Sequence, residues 1–342
     1  MITNLQTLRG VAAIMIFAHH FGFTSSVTDS FGDCAVAVFM MLSGFVLTLA
    51  FSSPGKPAPN LSRFMTKRLT RIYPLYLIGQ LATFALLKFD IGPVKAVADI
   101  LMLQSWIPSP DYYFSGNSPS WFVSDLMLCY LVFLPLYKLL TSGGKTAFLL
   151  IAAILTSYFL CVWFIPDNLV HPIIYIFPPM QLPVFVIGML AAKIFNKIPR
   201  PTLRAVRADI LILAAVSLFA ILIYYYPDVS TRLSLSSYWW PATFILILLL
   251  SLYDKTKCVT TTVLHTPVLV RLGDISYAFY ILHLPFLYVW QRLFRHFGYE
   301  LPTGIDFIVS VSLLAVICVA VHRLVEVPAT KYLDRLSSRL QH

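Results

Sequence analysis

Apolar runs close to 20 residues long recur from one end of this 342-residue chain to the other. Wound as a helix, such a run crosses about 30 Å of hydrocarbon. A chain built of them is constrained to helices in a bilayer, because each span must satisfy its own backbone hydrogen bonds there. Ten spans are read, at 5–23, 34–52, 69–87, 119–138, 146–165, 173–192, 209–226, 236–253, 274–291 and 304–322. Only 12% of residues are charged, where a soluble domain carries about a quarter, and mean hydropathy is +0.79. The expected fold is an all-α polytopic membrane protein, residues 1–342 forming one transmembrane domain. Residues 93–107 carry Lys95 and Asp99 and run into Trp106, Ile107 and Pro108, so that stretch is expected to be interfacial or re-entrant.

Charge sets the orientation. With the amino terminus inside, twenty of the 25 lysines and arginines fall on the cytoplasmic side, Lys56, Arg200, Arg204 and Arg339 among them. Outside are Lys88, Lys95, Arg232, Arg292 and Arg295. Cytoplasmic loops retain positive charge, which predicts both termini in the cytoplasm. The net charge of +10 then answers to topology and anionic headgroups and gives no reason to invoke nucleic acid. The first run lacks a basic n-region and a small-residue cleavage site, so it is expected to stay as a helix. Five cysteines sit in or beside the spans without metal-type spacing, and packing is their expected role; no metal is expected. The longest loop, 88–118, is too short to hold a core, and no repeats are evident.

Polar residues within spans are costly and mark sites or pathways. In LRGVAAIMIFAHHF, Arg9 and His20 are eleven positions apart, about 1100° of helix and about 16 Å of rise, so they share a face; His19 lies about 80° away. This suits a charged entrance leading to a buried base at mid-membrane, or a snorkelling arginine beside a packed histidine. LSRFMTKRLTRIYPLY places Lys67, Arg68 and Arg71 before Pro74. They serve either as a positive-inside anchor or as phosphate ligands, since guanidinium groups chelate phosphate. Ser43 and Gly44 admit close helix packing or free N–H groups offered to an anion. Asp125 is the one acid well inside a predicted span, and His283 lies about 13 Å into another; each is a site candidate or a hydrogen-bonded core residue. Glu326 and Arg323 are expected to cap the last helix or pair with basic loops. Trp106, Tyr112, Tyr113 and Trp121 either stack sugars or form an interfacial belt.

Taken in order, six blocks resemble the acyltransferase-3 family of bacterial integral-membrane O-acyltransferases: LRGVAAIMIFAHHF, FMMLSGF, KRLTRIYPLYL, SWFVSDLMLCYLVFLPL, LPVFVIGML and LGDISYAFYILHLPF. The resemblance spans nearly the whole chain, with Arg9, His20, Ser43, Gly44, Arg68, Arg71 and His283 on matching positions. It departs at Ala37, Gln181 and Val184, where the family often has an aspartate, an arginine and a glutamate. Asp125 precedes by one place the common glutamate, whose position is Leu126 here. The resemblance implies ten helices in the bacterial inner membrane, without room for the SGNH domain of some members. It implies transfer of an acyl group, usually acetyl, from cytoplasmic acyl-CoA to a hydroxyl of an extracytoplasmic carbohydrate, free or lipid-linked. Catalytic roles fall on His20, Arg9, His283 and Asp125, and acyl-CoA binding on Arg68, Arg71, Lys67, Arg9, Ser43 and Gly44. A neutral imidazole titrating near 6.5 suits a general base; His20 could equally carry the acyl group. The rival reading is a transporter or flippase for a lipid-linked sugar, with histidines relaying protons; a lipid-active transferase or polymerase is a third.

Overall fold

The computed structural model describes residues 2–23, 26–52, 60–88, 90–199, 205–298 and 301–339. Lys56, Arg200 and Arg204, counted above among the cytoplasmic cations, lie outside the described residues, as does the side chain of Arg339. Every described element is helical. The principal helices are α1 (Thr3–Phe21), α2 (Ser26–Phe51), α3 (Leu61–Leu86), α4 (Pro93–Ile100), α5 (Trp121–Ser142), α6 (Gly144–Phe164) and α7 (Pro178–Lys197). They continue with α8 (Ala205–Tyr225), α9 (Trp240–Leu252), α10 (Pro267–Asp274), α11 (Ser276–Phe297), α12 (Thr303–Val321) and α13 (Val327–Arg339).

Six described helices are long and apolar enough to cross a membrane, and a seventh span arises if α10 and α11, bent by 71° at their junction, count as one. The other three expected spans are helical too. They fall short for local reasons: α9 has only 13 residues, α1 carries Asn4, Gln6, Arg9, His19 and His20, and α3 opens with Arg63, Lys67, Arg68 and Arg71. Residues 93–107 form the short α4 and a 3₁₀ turn at Gln104–Trp106, too short to span.

Local chemistry explains the boundaries. Asn60 caps α3 by accepting a bond from the Arg63 N–H at 2.8 Å, meeting one of the four orphan donors of a helix start. Gly22, with φ of +99°, ends α1 in the left-handed region, which a residue without Cβ enters freely. α2 and α7 form the closest helix pair: a Cβ on Gly44 would run into the Phe185 carbonyl, and one on Gly188 into the Met41 carbonyl. α1 is the hub, touching α2, α9, α10, α11 and α12. It crosses α10 where Gly10 meets Gly273. Phe17, Phe45, Phe133, Phe185 and Phe279 fill the centre. The outward faces of α6, α8 and α12 are apolar and mostly exposed, as expected where hydrocarbon is the solvent.

Candidate active site

Three guanidinium groups converge on one cavity of about 170 Å³. Arg9 comes from α1, and Arg68 and Arg71, three residues apart and so on one face, come from α3. Ser43 of α2, Tyr130 of α5, Ser276, Tyr277 and Tyr280 of α11, Asp274 and Glu326 complete the polar lining. Arg68 packs over the Phe64 and Tyr130 rings, 5.3 and 5.7 Å from their centroids, which holds its plane in place. Its buried Nε has no hydrogen-bond partner among the described residues. Arg9 donates weakly from Nη1 to Gln6 Oε1 at 3.4 Å, and Gln6 is anchored through Nε2 to Asp274 Oδ1 at 2.7 Å. Glu326 is turned inward by a π-helical turn, His322–Glu326, and bonded to His322 Nδ1 at 2.9 Å.

No carboxylate among the described residues forms an ion pair with Arg9, Arg68 or Arg71. Asp274 and Glu326 line the same cavity without pairing to them, so three guanidinium groups outnumber two carboxylates in a setting that screens charge poorly, and the excess favours an added anion. Phosphate is the anion a guanidinium fork fits best. The cavity is smaller than the roughly 300–1,000 Å³ of a whole small-ligand site.

Beyond the wall made by Tyr280 stand the histidines. His20 lies in the last turn of α1, and His283, fully buried on α11, meets it with ring centroids 4.9 Å apart. His20 Nδ1 is 2.9 Å from the Ile16 carbonyl and His283 Nδ1 is 2.6 Å from the Tyr280 carbonyl. A carbonyl only accepts, so each Nδ1 carries the hydrogen. His283 Nε2 is therefore a lone pair, and at 3.3 Å from His20 Nδ1 it shares that hydrogen with Ile16. This network assigns the tautomers and leaves His20 Nε2 unprotonated on a half-buried ring, the arrangement a general base needs. Tyr280 joins the two sites: its ring lines the arginine cavity and lies 6.0 Å from that of His283, and its carbonyl fixes the His283 tautomer.

Other expected residues separate. Ser43 lines the cavity while bonding the Phe39 carbonyl at 2.7 Å, whereas Gly44 faces α7. Lys67 is exposed and outside the cavity; it is about 100° round the helix from Arg68, with Arg71 between the two in phase. Asp125 is fully buried and lines neither site; beside it, Ser105 donates to Ser124 at 2.6 Å. Leu126, the next residue, does line the cavity. Tyr113 and Trp121 are buried, which removes their faces from sugar stacking. Tyr112 stays partly open under Lys95 Nζ, 5.7 Å from its centroid.

The loop that leads into α5 is pinned to α11. Tyr280 donates its hydroxyl to the Pro119 carbonyl, and Asn117 Nδ2 donates to the Ile281 carbonyl at 2.9 Å. Below this lies Asp99, fully buried, accepting from Ser115 Oγ at 3.0 Å. Burial pushes its carboxyl up to about 7, against the opposing pull of the Ser115 bond. Burial lowers His171, whose Nδ1 lies 3.4 Å from the Tyr113 hydroxyl.

Sequence reading missed Gln6, Tyr130, Asp33 and Tyr226. Gln6 precedes Arg9 by three residues, a spacing that signals a shared helix face. Asp33 fell one residue before the expected span at 34–52, whereas α2 begins at Ser26.

The family model described as "Acyltransferase domain" matches residues 2–323. Among curated proteins, the chain is 28% identical to "Acyltransferase MdmB" of Streptomyces mycarofaciens over 98% of this chain and 93% of the relative. It is 24% identical to "Putative acetyltransferase ORF330" of Acidianus two-tailed virus over 82% of each. No solved structure matches the chain.

Proposed function

Because the chain belongs to this acyltransferase family, acyltransferase-3, we propose that it is a membrane O-acyltransferase. It moves an acyl group, acetyl by default, from acyl-CoA to a hydroxyl of a carbohydrate on the far side of the membrane. The observation that carries this reading is the cluster of unpaired arginines in a cavity walled by Tyr280, the residue that also holds His283. CoA phosphates sit against Arg9, Arg68 and Arg71, and the pantetheine arm runs past Tyr280 towards His20. His20 Nε2 takes the proton of the acceptor hydroxyl as its oxygen attacks the thioester carbonyl. The tetrahedral centre collapses, the C–S bond breaks, and the same proton passes to the departing CoA sulfur. His283 accepts from His20 Nδ1–H throughout and steadies the ring as charge forms on it.

In this reading the protein crosses the bacterial inner membrane ten times, counting α1, α3, α9 and the α10–α11 pair with the six apolar helices, and both termini are cytoplasmic. The test is incubation of the purified protein in lipid with radiolabelled acetyl-CoA and cell-envelope glycan. Label on the glycan, dependent on His20, supports the proposal. Label that stays on CoA while glycan moves across the bilayer favours a transporter.

A further inference from the structure

Next to the proposed base stands a set of polar side chains that acyl transfer, as described, leaves idle. His19 meets His20 edge-on, with ring centroids 4.8 Å apart. Its ring lies against Gly32, where a Cβ would come within 3.1 Å of three ring atoms. His19 Nδ1 is 3.1 Å from the Thr28 carbonyl. By the same logic as for the other two rings, Nδ1 bears the hydrogen and Nε2 a lone pair. The ring is half-buried, so that lone pair belongs to a side chain a ligand can reach.

Asp33, the residue after Gly32, is 8% exposed. The Tyr226 hydroxyl donates to its Oδ2 at 2.7 Å. Tyr175, turned inward by a second π-helical stretch at Val170–Tyr175, lies beside the same carboxylate, as does His19. No lysine or arginine forms an ion pair with Asp33 among the described residues. A carboxylate offers about four lone-pair sites, and two phenols leave capacity over. In a buried setting a further donor bonded to that carboxylate is worth more than in water.

The inventory is one-sided. His19 Nε2, His20 Nε2 and the Asp33 carboxylate are acceptors, the opposite of the arginine cavity. A ligand matching them brings more than one O–H donor. We propose that His19 and Asp33, the latter held by Tyr226, form the acceptor subsite and read a hydroxyl adjacent to the one acylated, so that the substrate class is a vicinal diol such as a sugar ring carries. The assignment rests on the acyl-transfer reading above. His20 takes the proton of the reacting hydroxyl, while the neighbouring hydroxyl donates to His19 or Asp33 and is not itself changed.

Small alcohols serve as probes in place of the unidentified glycan. Full-length protein in lipid nanodiscs receives acetyl-CoA with either 1-propanol or propane-1,2-diol, and free CoA thiol and ester are measured. Wild type is expected to prefer the diol roughly tenfold to a hundredfold, the size of a hydrogen bond to a charged group. Asp33→Asn and His19→Phe bring the ratio towards the statistical value of about two, and Tyr226→Phe, which removes one oxygen, lowers it less. CoA binding checks that each variant is folded. A wild-type ratio near two, or a ratio unmoved by Asp33→Asn, His19→Phe and Tyr226→Phe, overturns the subsite. Ester formed from both alcohols with no diol preference would leave the acyltransferase reading standing while removing this one. No thiol release from wild type with any alcohol overturns the donor reading, and this assignment with it.

Discussion

The arginine cavity and the histidine cluster are opposites built on one helix. The first is dominated by donors, three guanidinium groups that no carboxylate among the described residues pairs; the second presents acceptors, imidazole Nε2 atoms and the Asp33 carboxylate. α1 supplies Arg9 to one and His19 and His20 to the other. Each region is legible from its excess: guanidinium donors in the cavity, imidazole and carboxylate acceptors in the cluster. An isolated structural ion-pair network would have met its own charges internally, as Arg232 does with Asp167 at the carboxyl end of α6.

The contrast breaks most readily at His20. His20→Ala is expected to lower acyl transfer roughly 10²- to 10⁴-fold, the usual contribution of a general base, with CoA affinity in equilibrium binding unchanged. Transfer at the wild-type rate would remove His20 from the chemistry. Arg68→Ala and Arg71→Ala should each weaken CoA binding roughly tenfold to a hundredfold. Arg68→Lys should restore only part of this, because an ammonium cannot form the bidentate fork; unchanged affinity would reduce both arginines to topology anchors. His283→Phe removes the neutral acceptor of the His20 Nδ1–H, so kcat should drop by roughly fivefold, about 1 kcal/mol, while the KM for acetyl-CoA holds.

The smallest effect belongs to the loop above the histidines. Asp99 keeps its proton to about pH 7 when folded, against an ordinary value of 3.8. The folded state therefore binds the extra proton between those values, and stability falls as pH rises through that window. Asp99→Asn, uncharged throughout, should flatten the fall in thermal midpoint between about pH 4 and 7, and a slope equal to wild type would remove Asp99 as its source.

Much of this was readable in the chain because hydrophobic period and membrane physics agree. α2, α5, α6, α7, α8 and α12 are apolar enough to announce themselves. Arg9, His20, Arg68, Arg71 and His283 stood out because charge inside an apolar span is rare. The sequence could not reveal which of them meet: His20 and His283 are 263 residues apart. Lys67 was drawn in with its neighbours because spacing along α3 says nothing about which side the other helices occupy. Asp33 escaped because hydropathy put the start of the second span too late, and the helix continues outwards through Gly32, Asp29 and Thr28. α1 and α3, which fall short as apolar spans, carry Arg9, His19, His20, Arg68 and Arg71. Polarity spent on chemistry is polarity that hides a helix from a hydropathy reading.

α1 has a further consequence as a ruler. Arg9 and His20 are joined by a continuous helix that stops at Gly22, two residues beyond His20, so the proposed anchor and base stand about 16 Å apart along it. A single inserted residue between them would turn one against the other by about 100°. A donor bound as proposed supplies an arm of matching reach. A nucleotide with the phosphates of CoA but no pantetheine would fill the cavity without meeting the base, and so should inhibit competitively rather than react.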